Sequence, residues 1–264
     1  MKELIIRTLT GIYLIILVAG AILLGPVTLT GILLMVALLG TRELFALYQL
    51  KMDLPRLWLA FTAILVIPIS LMILQYQWSP WWLAGVAAGW ITGLIWSGAT
   101  VPGVLVLVWI SYPLAAFLAL GFAGHQGGYL PRLPLAVITL IWVNDTFAYL
   151  AGSKLGKHPL TPRLSPGKTW EGFIAGIMAT LLAGWIISRI SGAFTSGGWI
   201  AAALLVSFLA LAGDLFESGL KRKKQVKNSG ALLPGHGGIL DRFDSLFFTA
   251  PGILILLYLF NHWI

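Results

Sequence analysis

The chain has 264 residues, of which 59% are hydrophobic and only 10% charged; a soluble domain carries roughly 25% charged residues, so a water-soluble globule is excluded. It contains no cysteine, which removes disulfides, thiolate zinc sites and cysteine nucleophiles and leaves oxygen or imidazole to hold any metal. Seventeen Lys and Arg against nine Asp and Glu give a formal net charge of +8, and the placement of those charges is informative.

Nine apolar runs approach or reach the roughly 20 residues that a helix needs to cross a hydrocarbon core of about 30 Å. They fall at residues 9–24, 27–40, 57–75, 80–97, 101–123, 133–152, 172–191, 199–217 and 245–263. The predicted fold class is all-α, a polytopic integral membrane protein with about nine transmembrane helices. The first run follows Met1, Lys2 and Arg7 as a signal peptide would, but no polar mature domain comes after it, and it is read as a retained anchor. The second is short for a span. Behind it the stretch Thr41 to Pro55, with Arg42, Glu43 and Lys51 on an amphipathic pattern, predicts an interfacial helix. Trp78, Trp81 and Trp82 lie near span ends, as an aromatic belt requires. Ser111, Tyr112 and Pro113 inside the fifth run predict a kink. The predicted helices before residue 130 contain almost no ionisable group. Residues 1–130 are therefore read as transmembrane scaffold and residues 131–264 as the catalytic region, with cytosolic loops at 153–171 and 218–244.

With the N-terminus inside, all of the 17 Lys and Arg but Arg132 and Arg189 fall on one face. Dropping one span would invert everything downstream of it. The expected arrangement is a multi-pass protein of the cell inner (cytoplasmic) membrane, N-terminus in and C-terminus out, with both loops in the cytosol.

Those loops and the helix ends beside them hold the chemistry. Asp145, Asp214 with Glu217, and Asp241 with Asp244 are carboxylates at or near the inner ends of apolar spans, where charge is costly and signals function. The two pairs are each three residues apart and so share a helix face. Like charges gathered at one depth call for a bound cation, and hard oxygen ligands favour Mg²⁺; the alternative is that each acid pairs with a neighbouring Lys or Arg. Ser218, Lys221 and Arg222 continue the face of Asp214 and Glu217. Acids, bases and metal on one surface suit phosphoryl or nucleotidyl transfer, in which positioning and charge neutralisation do most of the catalysis. Lys223 and Lys224 read instead as a basic patch for lipid headgroups. Pro234, Gly235, His236, Gly237 and Gly238 form a turn whose amides could cradle a phosphate. Ser165, Pro166, Gly167, Lys168 and Thr169 predict a helix start with Lys168 directed at an anion. No GxGxxG, HExxH or GxSxG is present.

Residues 218–244, SGLKRKKQVKNSGALLPGHGGILDRFD, resemble the signature of the phosphatidate cytidylyltransferases, the CDP-diacylglycerol synthases. The family pattern S-x-x-K-R, four residues, K-D, then P-x-H-G-G-x-x-D-R-x-D is met at Ser218, Lys221, Arg222, Lys227, Pro234, His236, Gly237, Gly238, Asp241, Arg242 and Asp244. It departs at Asn228, where the family has Asp. Upstream, GDLFES at 213–218 and the loop with Asp145, Ser165, Lys168 and Glu171 are similar to that family too. The resemblance implies CTP plus phosphatidate giving CDP-diacylglycerol and pyrophosphate. It implies Mg²⁺, together with a second cation, bound by acids matching Asp214, Asp241 and Asp244. Lys221 and Arg222 would hold the triphosphate, and Lys168, His236 and Arg242 would assist with either phosphate. Asp145 completes the expected catalytic set, while Ser165, Ser218, Lys227, Gly237 and Gly238 are the remaining expected substrate contacts. The expected partners are CTP, phosphatidate and membrane lipid, not nucleic acid, and a homodimer is left open. A CTP-dependent kinase of a lipid alcohol, with Asp145 as base, and a transporter of an anionic solute are the competing readings. The latter would place polar groups at the bilayer midplane.

Overall fold

The computed structural model describes residues 2–123, 128–191, 194–226, 229–230 and 237–261. Its elements are almost all helical and fall into two compact units, one of residues 1–131 with 226–243, the other of residues 132–225 with 244–264.

In the first unit α1 (Lys2–Leu24) and α2 (Pro26–Leu47) are separated by Gly25 alone. Gly25 takes φ 123°, open to glycine, and Pro26 enters the first turn of α2, where a missing N–H costs nothing. The same proline leaves the Ile22 carbonyl without its helical donor four residues on, and the Tyr129 hydroxyl donates to it at 2.9 Å. Burial pushes the pKa of that hydroxyl up to about 12, so it stays a donor. α3 (Leu54–Ile64) starts at Asp53, whose side chain caps the Arg56 amide, and runs through a bend at Leu65 into α4 (Val66–Tyr76). α5 (Trp82–Ser97) lies against α3 because Gly93 lets the backbones meet: a Cβ there would stand 2.9 Å from the Leu59 Cα. The expected kink in the fifth run is a π-helical turn, Val106–Ser111, between α6 (Thr100–Leu105) and α7 (Tyr112–Leu120). Leu29, Leu33, Phe45, Leu59, Ile110 and Phe117 are fully or almost fully buried in this unit.

The expected interfacial helix after residue 40 is not formed. α2 continues to Leu47 without a break, and Glu43, Leu44, Phe45 and Leu47 are buried. The amphipathic pattern has a tertiary cause: Glu43 accepts hydrogen bonds from the amides of Ile239 and Leu240 within the same unit.

The second unit holds α8 (Arg132–Leu155), an antiparallel hairpin of β1 (Pro159–Thr161) and β2 (Ser165–Thr169), α9 (Trp170–Ser188), α10 (Ser196–Lys223) and α11 (Leu240–Asn261) from Asp244 onward. The helix start predicted after Ser165–Thr169 is found at Trp170, but the five residues ahead of it are themselves a strand. Ser165–Thr169 is a strand, held by pairing to Pro159 and Thr161, and the helix begins one residue later, with the Thr169 hydroxyl accepting from the Gly172 amide. α8 and α9 meet through Gly172 and Gly176, where any Cβ would press on α8 at Ala148 and Asn144.

Among the described residues seven helices are long and apolar enough to cross a membrane: Pro26–Leu47, Leu54–Tyr76, Thr100–Leu120, Arg132–Leu155, Trp170–Ser188, Ser196–Lys223 and Leu240–Phe260. Two shorter apolar helices, Leu9–Leu24 and Trp82–Ser97, accompany them. Large apolar side chains such as Leu24, Ile95, Met178 and Leu182 are exposed on these helices, which lipid tolerates and water does not. The chain is an all-α, multi-pass membrane protein.

Candidate active site

α8, β2, α10 and α11 each bring one charged side chain to a common neighbourhood in the second unit: Asp145, Lys168, Asp214 and Asp244 interact electrostatically with one another. The approach of α10 to α11 depends on Gly213, because a Cβ at that position would collide with the Asp244 carbonyl oxygen. The next residue, Asp214, is thereby carried toward Asp244 on the facing helix. Lys168, projecting from β2, pairs with Asp214 at Nζ–Oδ2 2.6 Å. Ser218, one turn along α10, donates to Asp214 Oδ1 at 3.2 Å. Asn144 donates to Asp145 Oδ1 at 3.2 Å, and the Ser245 hydroxyl also bonds the Asp145 carboxylate. Asp244 is buried and accepts the Ser245 amide at 2.6 Å, whereas the side chains of Lys168 and Asp214 are partly exposed. The cluster thus has a buried floor and an accessible rim.

Three carboxylates face one ammonium, an excess of negative charge that a divalent cation would balance, and all the donors are hard oxygens of the kind Mg²⁺ prefers. In donor chemistry and charge, these residues fit a magnesium ion. Among the described residues no three acidic or imidazole side chains already stand in metal-ligating contact.

The other predicted residues are distributed as follows. Lys221 pairs with Glu217 at 3.3 Å, an i, i+4 contact on α10. Arg222 donates through Nε to the Leu164 carbonyl at 3.2 Å and ties the end of α10 to the hairpin turn that precedes Ser165. Asp241 belongs to the first unit. Its Oδ2 accepts from the Ser229 amide and hydroxyl, both at 3.1 Å, and from the Gly238 amide at 2.9 Å. The Gly238 N–H is therefore engaged by Asp241, while Gly237 takes φ 83°. Arg242 is exposed in the first turn of α11. Lys227, Asn228, Pro234 and His236 lie outside the described residues.

Sequence reasoning passed over Gly213, Ser245 and Glu43. Gly213 stands directly before an acid inside an apolar helix, a signal of close backbone approach. Ser245 follows an acid that had already been singled out. Glu171 takes a different part from the acids of the cluster: it accepts the amides of Lys157 and His158 and meets His158 Nδ1 at 2.6 Å, fastening the entry of the hairpin to the first turn of α9.

Residues 5–260 match the family model described as the cytidylyltransferase family. A protein of Staphylococcus haemolyticus named phosphatidate cytidylyltransferase is 31% identical over 271 residues, covering 96% of this chain and 98% of that one. The Staphylococcus epidermidis protein of the same name has the same identity and coverage, 31% over 96% of this chain and 98% of its own. A Staphylococcus aureus protein, also so named, is 46% identical over 125 residues, 47% of this chain and 48% of its own length.

Proposed function

The chain belongs to the cytidylyltransferase family, and on that premise we propose that it transfers the cytidylyl group of CTP to phosphatidate, giving CDP-diacylglycerol and pyrophosphate for phospholipid synthesis. The observation that carries this reading is the convergence of Asp145, Asp214, Asp244 and Lys168 in one unit. The phosphate monoester of phosphatidate is anionic at neutral pH, so the reaction needs no base to create its nucleophile. A phosphatidate oxygen attacks the α-phosphorus of CTP. The bond from that phosphorus to the β-phosphate oxygen breaks, and pyrophosphate leaves with the electron pair.

Bringing two anions together is the main barrier, and the protein's part is to neutralise and align them. Asp214 and Asp244, with Asp145 beside them, would hold Mg²⁺; Asp241 stays in the expected ligand set on the family pattern alone, and a second cation belongs to the same expectation. When bound, Mg²⁺ supplies charge neutralisation and orientation of phosphate oxygens. Lys168 fixes Asp214 and keeps a positive charge at the rim for an incoming phosphate. Lys221 and Arg222, in the last turn of α10, hold the triphosphate, while Ser218 orients Asp214. Arg242, His236 and Lys227 are assigned to the phosphates of either substrate. We further propose nine membrane spans, counting the two shorter apolar helices, in the inner (cytoplasmic) membrane with the acid cluster facing the cytosol. The uneven distribution of Lys and Arg supports that orientation.

The test uses purified protein in mixed micelles with phosphatidate, Mg²⁺ and CTP labelled at either the α- or the γ-phosphate. Cytidylyl transfer puts the α-label in lipid and the γ-label in pyrophosphate. A γ-label in lipid would instead identify a kinase and overturn the proposal.

A further inference from the structure

Glu43 stands in α2, beside Arg42, and only 8% of it is exposed. Its carboxylate does not meet a Lys or Arg among the described contacts. It accepts the Ile239 amide through Oε1 at 2.9 Å, and through Oε2 the Leu240 amide at 3.1 Å and the Ser229 hydroxyl at 3.0 Å. Leu240 opens α11 and Ile239 directly precedes it, where backbone N–H groups have no helical acceptor and the helix dipole favours a negative charge. The surrounding residues are shaped to this contact. Gly40, one turn earlier on α2, leaves room for Leu240, since a Cβ there would stand 3.0 Å from Leu240 Cδ2. A Cβ at Gly230 would lie 2.6 Å from Glu43 Oε1, and one at Gly238 would run into both Ser229 Oγ and Glu43 Oε2. Ser229 joins this carboxylate to a second one, donating to Glu43 and also to Asp241. Asp241 in turn takes the Gly238 amide.

We infer that Glu43 is a positioning residue for the reaction: a buried carboxylate that latches Ser229, Ile239 and the start of α11 at Leu240 onto α2, and so fixes the signature residues beside them, Gly237, Gly238, Asp241 and Arg242. The inference rests on the proposed cytidylyl transfer only for its consequence in turnover; the latch itself stands on geometry within one unit. It also gives Gly238 a steric reason for being glycine that does not involve substrate. Glutamine at position 43 keeps the shape but turns an –NH₂ donor toward a backbone donor, leaving one acceptor oxygen for two amides.

The experiment is hydrogen exchange of the full chain in lipid nanodiscs, read by mass spectrometry over residues 237–243, paired with steady-state cytidylyl transfer. Glu43→Gln should speed exchange at Ile239 and Leu240 at least tenfold while α8 and α9 exchange as in the parent. It should also lower kcat at least tenfold, with the KM for phosphatidate within about twofold and the yield of inserted protein unchanged. Should Glu43→Gln fail to insert, Ser229→Ala removes one donor more gently and should raise the same exchange severalfold. Unchanged exchange at the two amides overturns the latch. Faster exchange with unchanged kcat overturns its part in the reaction. A parent protein that transfers no cytidylyl group would sink the proposed function instead, and the exchange result would still decide the latch.

Discussion

Lys168 and Asp214 meet at 2.6 Å with side chains 28% and 36% exposed, and this separates two roles by magnitude. A partly exposed ion pair contributes about 0–1 kcal/mol to stability, whereas a cation that neutralises a phosphate during transfer is worth about 10²-fold in rate, or roughly 2.7 kcal/mol. Lys168→Met should therefore leave the thermal unfolding midpoint within a few degrees of the parent and lower kcat/KM for CTP about a hundredfold. A large fall in the midpoint with near-normal activity per folded molecule would make Lys168 a structural residue. The acids of this cluster were legible in the sequence because a carboxylate in an apolar helix has few uses. Lys168 was legible as a cation near an anion, but its partner was not, since Asp214 is brought to it by tertiary packing. Glu43 looked like a charge on an amphipathic surface because its partners, two backbone amides and the Ser229 hydroxyl, lie nearly two hundred residues away, and amides leave no mark in a sequence.

At the scale of elements, small residues decide which helices approach. Gly213→Ala would raise helix propensity by up to about 1 kcal/mol on an exposed helix. Here the new Cβ would instead meet the Asp244 carbonyl, its carbon at 3.0 Å, so overpacking of about 1–3 kcal/mol should win. The expected result is a lower melting temperature in detergent together with at least tenfold slower transfer, as α10 and α11 are forced apart; a more stable, fully active variant would contradict it. A second element-level prediction concerns the α1–α2 break. Tyr129→Phe removes the donor to the Ile22 carbonyl and should cost about 1 kcal/mol. Because burial raises the folded pKa of Tyr129 to about 12 from 10.0, its contribution is fully present below pH 10 and is lost as the pH climbs toward 12. The difference in melting temperature between parent and variant should accordingly be flat from pH 6 to pH 9 and shrink above pH 10. The helices themselves were readable from apolar run length. The hairpin at 159–169 was not, because a strand of the sequence SPGKT has neither alternation nor β-branched residues until its last position, and its register comes from pairing with Pro159 and Thr161.

For the whole molecule, topology and chemistry make separate claims. Ser196 and Ser153 are both exposed, and the absence of native cysteine makes single substitutions easy to read. With the cluster facing the cytosol, Ser196→Cys should react with an impermeant thiol reagent added outside intact cells, and Ser153→Cys only after permeabilisation; the reverse pattern would invert the membrane orientation. Metal-dependent cytidylyl transfer by the gathered carboxylates stands or falls with Asp244→Asn. The measurement is incorporation of α-labelled CTP into phosphatidate by purified parent and variant across a titration of Mg²⁺. The parent should require the cation, and the variant, inserted in the membrane at normal yield, should be slower by about 10² to 10³ at every concentration. A variant that reaches a near-normal rate at saturating Mg²⁺, or a parent that works equally well without any divalent cation, would contradict it.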